Sequence, residues 1–193
     1  MLHILLASLS VLAAPSPQQN VPIMYEDSVI CSAVLLDSTH VLTAAHCIQE
    51  STTMDLMCGS MMTPGLVIRF DKSIDLAEFE LVEPCNQPVS PVAKTNPARG
   101  DKVYTLGCPA GICGRITVGV VSGYASIHEH QVLSTDATAF FGNSGGGLFN
   151  DSGEVVGICS TVEPHSANGI QVLFTQYIPA STILRFLESK PIY

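Results

Sequence analysis

Tryptophan is absent from the 193 residues, and aromatic side chains make up only 6% of them. Cationic side chains are scarce too: eight Lys and Arg stand against 17 Asp and Glu, a net charge of -9. They form no cluster, which argues against a surface for nucleic acid or anionic membrane. Charged residues reach only 13% while hydrophobic ones reach 47%, a balance that excludes a disordered chain or a coiled coil. The uncharged run Leu2–Leu12 is too short for a membrane anchor, which needs ~20 apolar residues. Cysteines form no CxxC pair, since Cys108 and Cys113 are separated by Pro-Ala-Gly-Ile. His128 and His130 share one face of an extended segment with no third ligand in view, so they read as a solvated strand. No metal and no cofactor are expected.

The length suits one large domain or one domain of two lobes. Residues 1–13 fit the apolar part of a secretory signal, with small residues at Val11-Leu12-Ala13 for cleavage before Ala14, although no Lys or Arg precedes the run. Residues 14–27 then read as a flexible amino-terminal arm. Seven cysteines suit an oxidising, extracellular compartment, and the odd count leaves at least one thiol unpaired or paired between chains.

Short apolar runs broken by turn residues dominate the rest. They are Ser32–Leu36, Val41-Leu42, Gly65–Phe70, Leu76–Leu81, Lys102–Leu106, Ile116–Ser122, Gln131–Ser134, Glu154–Cys159 and Ile170–Ile178. Rich in Val, Ile and Leu and without intervening helical periods, they predict an all-β sandwich or barrel. Residues 84–101 carry Pro84, Pro88, Pro91 and Pro97 and read as the connector between two lobes. Asn150-Asp151-Ser152-Gly153 reads as a hairpin turn and contains an N-x-S glycosylation sequon. One helix is expected at the C-terminus, capped by Ser181, with Ile183, Leu184 and Leu187 as its apolar stripe.

Gly142-Asn143-Ser144-Gly145-Gly146-Gly147 carries the most chemical information. Its glycines allow a sharp turn and leave backbone N–H groups free to face a carbonyl oxygen. A serine hydroxyl is a poor nucleophile unless a base takes its proton and an acid orients that base. His46, in Thr43-Ala44-Ala45-His46-Cys47, offers the base, and Asp75, heading the apolar Leu76–Leu81 run, offers the acid.

In this order the motifs Leu42–Cys47 (LTAAHC), Asp75–Ala77 (DLA) and Gly142–Gly146 (GNSGG) resemble those of chymotrypsin-like serine proteases. Gly107-x-Pro109-x-Gly111, Thr117-Val-Gly119-Val-Val-Ser122 and Thr135-Asp136-Ala137 are similar to the second lobe of the compact high-temperature-requirement branch. The likeness spans about residues 28–180. It implies two six-stranded antiparallel β-barrels in a domain over 28–193, with lobes near 28–85 and 100–180 joined by 86–99. It also implies serine endopeptidase activity on protein or peptide substrates. Ser144 would be the nucleophile, His46 the general base and Asp75 its orienting acid. The N–H groups of Gly142 and Ser144 would form the oxyanion hole, and Ser160 would bond the Asp. Residues 160–162 would pair with substrate backbone, and Thr138 and Val162 would shape the specificity pocket. Cys31 and Cys47 match the family disulfide, a loop closure worth roughly 3 kcal/mol. Cys58–Cys85 and Cys108–Cys113 are further candidate bridges, with Cys159 left as the odd buried thiol.

Three further readings stay open at this point. Gly142-x-Ser144-x-Gly146 also fits the nucleophile elbow of an α/β-hydrolase, although only His165 follows Ser144. The chain could alternatively be a non-catalytic homologue acting as a binding module, or a processing protease released from a precursor. Thr138 stands six residues before Ser144, where trypsins carry an Asp, so cleavage after Lys or Arg is not expected. A small or medium aliphatic residue is expected there instead. Asn143 stands where trypsin-like zymogens carry the Asp that pairs with a newly cut α-amino group. No Ile-Val-Gly-Gly lies upstream of Cys31, so activation by such a cut is not expected.

Overall fold

The computed structural model describes residues 15–48, 52–127, 130–167 and 170–192, with the backbone alone for 17, 127, 161–167 and 170–174. The proposed signal segment 1–13 therefore lies outside the described residues. Among the described residues, twelve strands form two closed barrels, each of six strands paired antiparallel.

The first barrel is built from β1 (Asn20–Tyr25), β2 (Ser28–Leu35), β3 (His40–Thr43), β4 (Thr53–Cys58), β5 (Met61–Asp71) and β6 (Leu76–Leu81), in the spatial order β1-β2-β3-β6-β5-β4. Its strands alternate in the expected way: Met54, Leu56 and Cys58 of β4 point inward while Thr53 and Asp55 are exposed. Ile23, Leu35, Leu56 and Phe79 fill the interior. The second barrel contains β7 (Lys102–Gly107), β8 (Arg115–Ile127), β9 (His130–Thr135), β10 (Gly147–Phe149), β11 (Val155–Ala167) and β12 (Ile170–Pro179), ordered β10-β11-β12-β9-β8-β7. Val103, Leu133, Leu148 and Tyr177 occupy its centre.

Between the barrels lies a third apolar cluster. It combines Val34, Leu42 and Leu76 of the first barrel with Leu106, Phe149 and Ile158 of the second, and the C-terminal helix α1 (Ala180–Leu187) adds Ile183 and Phe186. This shared core holds β3 and β6, which precede and follow the functional loops of one lobe, against β10 and β11 of the other.

Two expectations change. Residues 20–25 are not part of a free arm: β1 pairs with both β2 and β4, and Val21 and Ile23 are fully buried. The polar residues around it (Gln18-Gln19-Asn20) hide a strand of alternating apolar character. Helix α1 begins at Ala180, so Ser181 lies inside its first turn rather than capping it. Asn96 of the connector supplies the cap, its Oδ1 accepting from the Ser181 N–H at 2.9 Å. The connector itself is anchored: Val92 bridges Val155, and Ser90 is fully buried, its Oγ accepting from Gln19 Nε2.

Candidate active site

His46 sits in a short 3-10 turn, Ala45–Cys47, directly after β3. The Cys31–Cys47 disulfide ties that turn to β2. Asp75 lies just before β6, in the left-handed backbone region at φ 58°, a conformation that costs a non-glycine residue of order 1–3 kcal/mol and clusters at functional sites. That conformation sends its carboxylate back under the His46 turn. Asp75 Oδ1 accepts the His46 N–H at 2.9 Å, and His46 Nδ1 lies 3.0 and 2.9 Å from the two carboxylate oxygens. The Asp75 carbonyl accepts the Ala45 N–H. The Ser160 hydroxyl donates to Asp75 Oδ2 across the barrel boundary. Burial pushes the Asp75 carboxyl up. The hydrogen bonds from His46 and Ser160, the His46 charge and the His46 N–H outweigh that push and hold it below its ordinary value.

Ser144 sits in a tight turn between residues 140 and 147, braced by backbone hydrogen bonds. Asn143 N–H donates to the Phe140 carbonyl, Gly146 N–H to Asn143, and Gly145 N–H to Cys159 of β11. Two glycines are required by space as well as by dihedral. Gly142, at φ 97°, would drive a Cβ into the Cys108 carbonyl oxygen, and Gly145, at φ 78°, would drive one into Thr43 Oγ1 and the Ser32 carbonyl. The Asn143 side chain is buried, and its Oδ1 has no partner among the described residues.

His46, Asp75, Gly142, Ser144 and Ser160 line a single cleft of about 560 Å³. Residues from both barrels thus meet at one place, as the motifs require. Thr138 does not line this cleft. Its side chain is exposed, and its carbonyl accepts from Thr117 Oγ1. Val162 pairs through its backbone with Thr175, and its side chain lies outside the described residues. Cys159 lines the cleft from beneath, and burial pushes its thiol up to about 12. All three bridges considered from sequence are formed: Cys31–Cys47, Cys58–Cys85 and Cys108–Cys113. The sulfurs nearest His46 are thereby disulfide-bonded rather than thiolate. In the sequon, Asn150 Nδ2 donates to Glu154 and Oδ1 accepts from the Ser152 and Glu154 N–H groups, so the amide is engaged in its own turn.

Sequence reasoning missed several residues of the cleft. Phe140 and Phe141, 51% and 81% exposed, line it with their rings edge to face, and Lys72 lines it too. The pair of phenylalanines immediately before the glycine-rich turn was the available signal.

A two-barrel fold with a His–Asp pair and a serine turn facing one cleft defines a class of hydrolase scaffold. The chain belongs to the family of trypsin-like peptidase domains, whose model matches residues 31–158. It is 28% identical over 155 residues to Protease Do-like 1, chloroplastic, from Arabidopsis thaliana, covering 75% of this chain and 35% of that protein. It is 33% identical over 138 residues to Serine protease Do-like HtrB from Bacillus subtilis, covering 64% and 30%. The chain thus spans roughly a third of the length of these curated relatives. Among solved structures, the serine endoprotease from Yersinia pestis superposes with a TM-score of 0.74 at 26% identity, covering 90% of this chain and 62% of that one. No helix among the described residues is long and apolar enough to cross a membrane.

Proposed function

We propose that the chain is a serine endopeptidase acting through His46, Asp75 and Ser144. The observation that carries this reading is the hydrogen-bonded His46–Asp75–Ser160 array lining the same cleft as Ser144. Ser144 Oγ attacks the scissile carbonyl carbon while its proton passes to His46 Nε2. Asp75 holds Nδ1–H and so fixes the tautomer in which Nε2 is the base. The tetrahedral oxyanion is met by the Gly142 and Ser144 N–H groups. His46 returns the proton to the leaving amine as the C–N bond breaks, and water then hydrolyses the acyl-enzyme by the same route in reverse.

The substrate is a protein or peptide whose backbone adds to residues 160–162 as an extra strand. The residue before the scissile bond is small or medium aliphatic, since among the described residues Asp75 is the one carboxylate that lines the cleft. Three disulfides suit secretion into an oxidising compartment.

Labelling by a fluorophosphonate probe combined with peptide-library cleavage tests the reading. Ser144→Ala abolishes labelling and lowers kcat by about 10⁶ if the three residues act as a unit. Retention of most turnover in Ser144→Ala would refute it. Absence of both labelling and turnover in the unsubstituted chain would favour a binding module instead.

A further inference from the structure

Gly142 belongs to two peptide planes. Because a trans peptide points its C=O and N–H in opposite directions, whatever grips the Phe141 carbonyl also aims the Gly142 N–H. That grip is the Ala110 N–H, at 2.7 Å, from the turn closed by Cys108–Cys113. The next plane carries the Gly142 carbonyl, and there the partner is a side chain. Ser32 Oγ donates to it at 2.7 Å. The same oxygen accepts the Cys108 N–H at 2.9 Å, so one hydroxyl joins β2 of the first barrel to both the 108–113 turn and the 140–147 turn of the second. Ser32 is fully buried, and its own N–H donates to the Ser144 carbonyl at 2.8 Å. Its carbonyl accepts from Thr43 Oγ1 at 2.8 Å, which fixes the strand that presents the hydroxyl.

A latch is needed at this point for a physical reason. Gly142 has no Cβ and sits at φ 97°, so the peptides around it can rotate at little steric cost. The neighbouring planes are held by backbone groups: Asn143 C=O by Gly146 N–H, and Ser144 C=O by Ser32 N–H. Gly142 C=O is the one in this stretch held by a side-chain hydroxyl. We infer that Ser32 is a positioning residue for the oxyanion-binding N–H groups, acting through the Gly142 peptide and touching no substrate itself. This rests on the proposed peptidase reading.

Ser32→Ala removes both bonds and leaves the buried Cys108 N–H without its acceptor. The expected result is a roughly 10–100-fold fall in kcat, smaller than the 10²–10³ lost when a donor itself is deleted. KM, and the affinity of the same peptide for enzyme carrying Ser144→Ala as well, stay within about twofold, because the ground-state carbonyl makes little use of the hole. Inhibition by a peptide aldehyde, whose adduct places an oxygen in the hole, weakens by the same factor as kcat. Ser32→Cys, keeping a weak donor and acceptor, falls between native and Ala. Asn96→Ala removes the cap of α1, a hydrogen bond that involves neither Gly142 nor any residue lining the cleft. It lowers thermal stability while kcat stays within about twofold. The inference is overturned if Ser32→Ala keeps kcat within about threefold of native, or if Asn96→Ala loses as much kcat as Ser32→Ala. Failure of the native chain to show any Ser144-dependent turnover would remove the peptidase reading itself, an outcome distinct from either.

Discussion

Asp75 accepts hydrogen bonds from three groups, His46 N–H, the His46 ring and the Ser160 hydroxyl, and does so from a left-handed backbone conformation. Its folded-state carboxyl titrates below the ordinary value of 3.8. A depressed carboxyl contributes stability above the unfolded value, and that contribution is lost as pH falls through the folded one. The stability difference between native protein and Asp75→Asn should therefore shrink as pH drops below 3.8, measured by urea unfolding across an acid series. At neutral pH, Asp75→Asn should lower kcat by about 10⁴, since the amide favours the wrong imidazole tautomer. An undiminished kcat would mean that His46 finds its orientation elsewhere. His46, Asp75 and Ser144 could be read from sequence because each sits in a local motif with few alternatives. Ser32, Ala110 and Phe141 could not. Their significance arises from contacts between residues up to 110 positions apart, and nothing in Cys31-Ser32-Ala33 distinguishes a latch from an ordinary strand serine.

Helix α1 shows how an element can serve two lobes at once. Ile183 and Phe186 pack into the cluster shared by β3, β6, β10 and β11, while Asn96 of the connector caps the first turn. Replacing Phe186 by Ala should cost about 3–5 kcal/mol, as for other buried aromatic truncations, and urea unfolding would register it. A loss under about 1 kcal/mol would mean that the helix is peripheral to the fold. The apolar runs located β3, β6, β7, β9 and β12 within a residue, the bounds of β6 matching the Leu76–Leu81 run, but fell four to eight residues short at one end of β2, β5, β8 and β11. β4 escaped because Met57 puts an apolar residue on its outer face and ends the polar–apolar alternation after four residues, and β10 because three residues are too few for any period. The helix cap escaped for a different reason: its partner Asn96 lies 85 residues away.

At the scale of the molecule, the cleft is assembled only when the two barrels dock, with β2 and the His46 turn on one side and the 108–113 and 140–147 turns on the other. The Ser144 turn is held across this docking, its carbonyl accepting the Ser32 N–H of the first barrel. Asn143 carries no charge and is buried, and an α-ammonium inserted beside it would lack a counter-ion, a burial that costs several kcal/mol. Chains beginning at Ala14 with a free or an acetylated amino group should therefore turn over peptide at rates within about twofold of each other. Activity confined to the free terminus would contradict this. The amino-terminal side has a limit of another kind. β1 is zipped to β2 on one flank and to β4 on the other. A proteolytic nick within Asn20–Tyr25 would unzip the first barrel into an open sheet with two bare edges, each a row of unsatisfied N–H and C=O groups. Such edges template the stacking of further chains. Trimming upstream of Asn20 leaves the ladder whole, whereas trimming a few residues further converts the same domain into a seed for precipitation. The boundary of a soluble fragment is thus set at Asn20, by strand pairing, well before the first residue that faces the cleft.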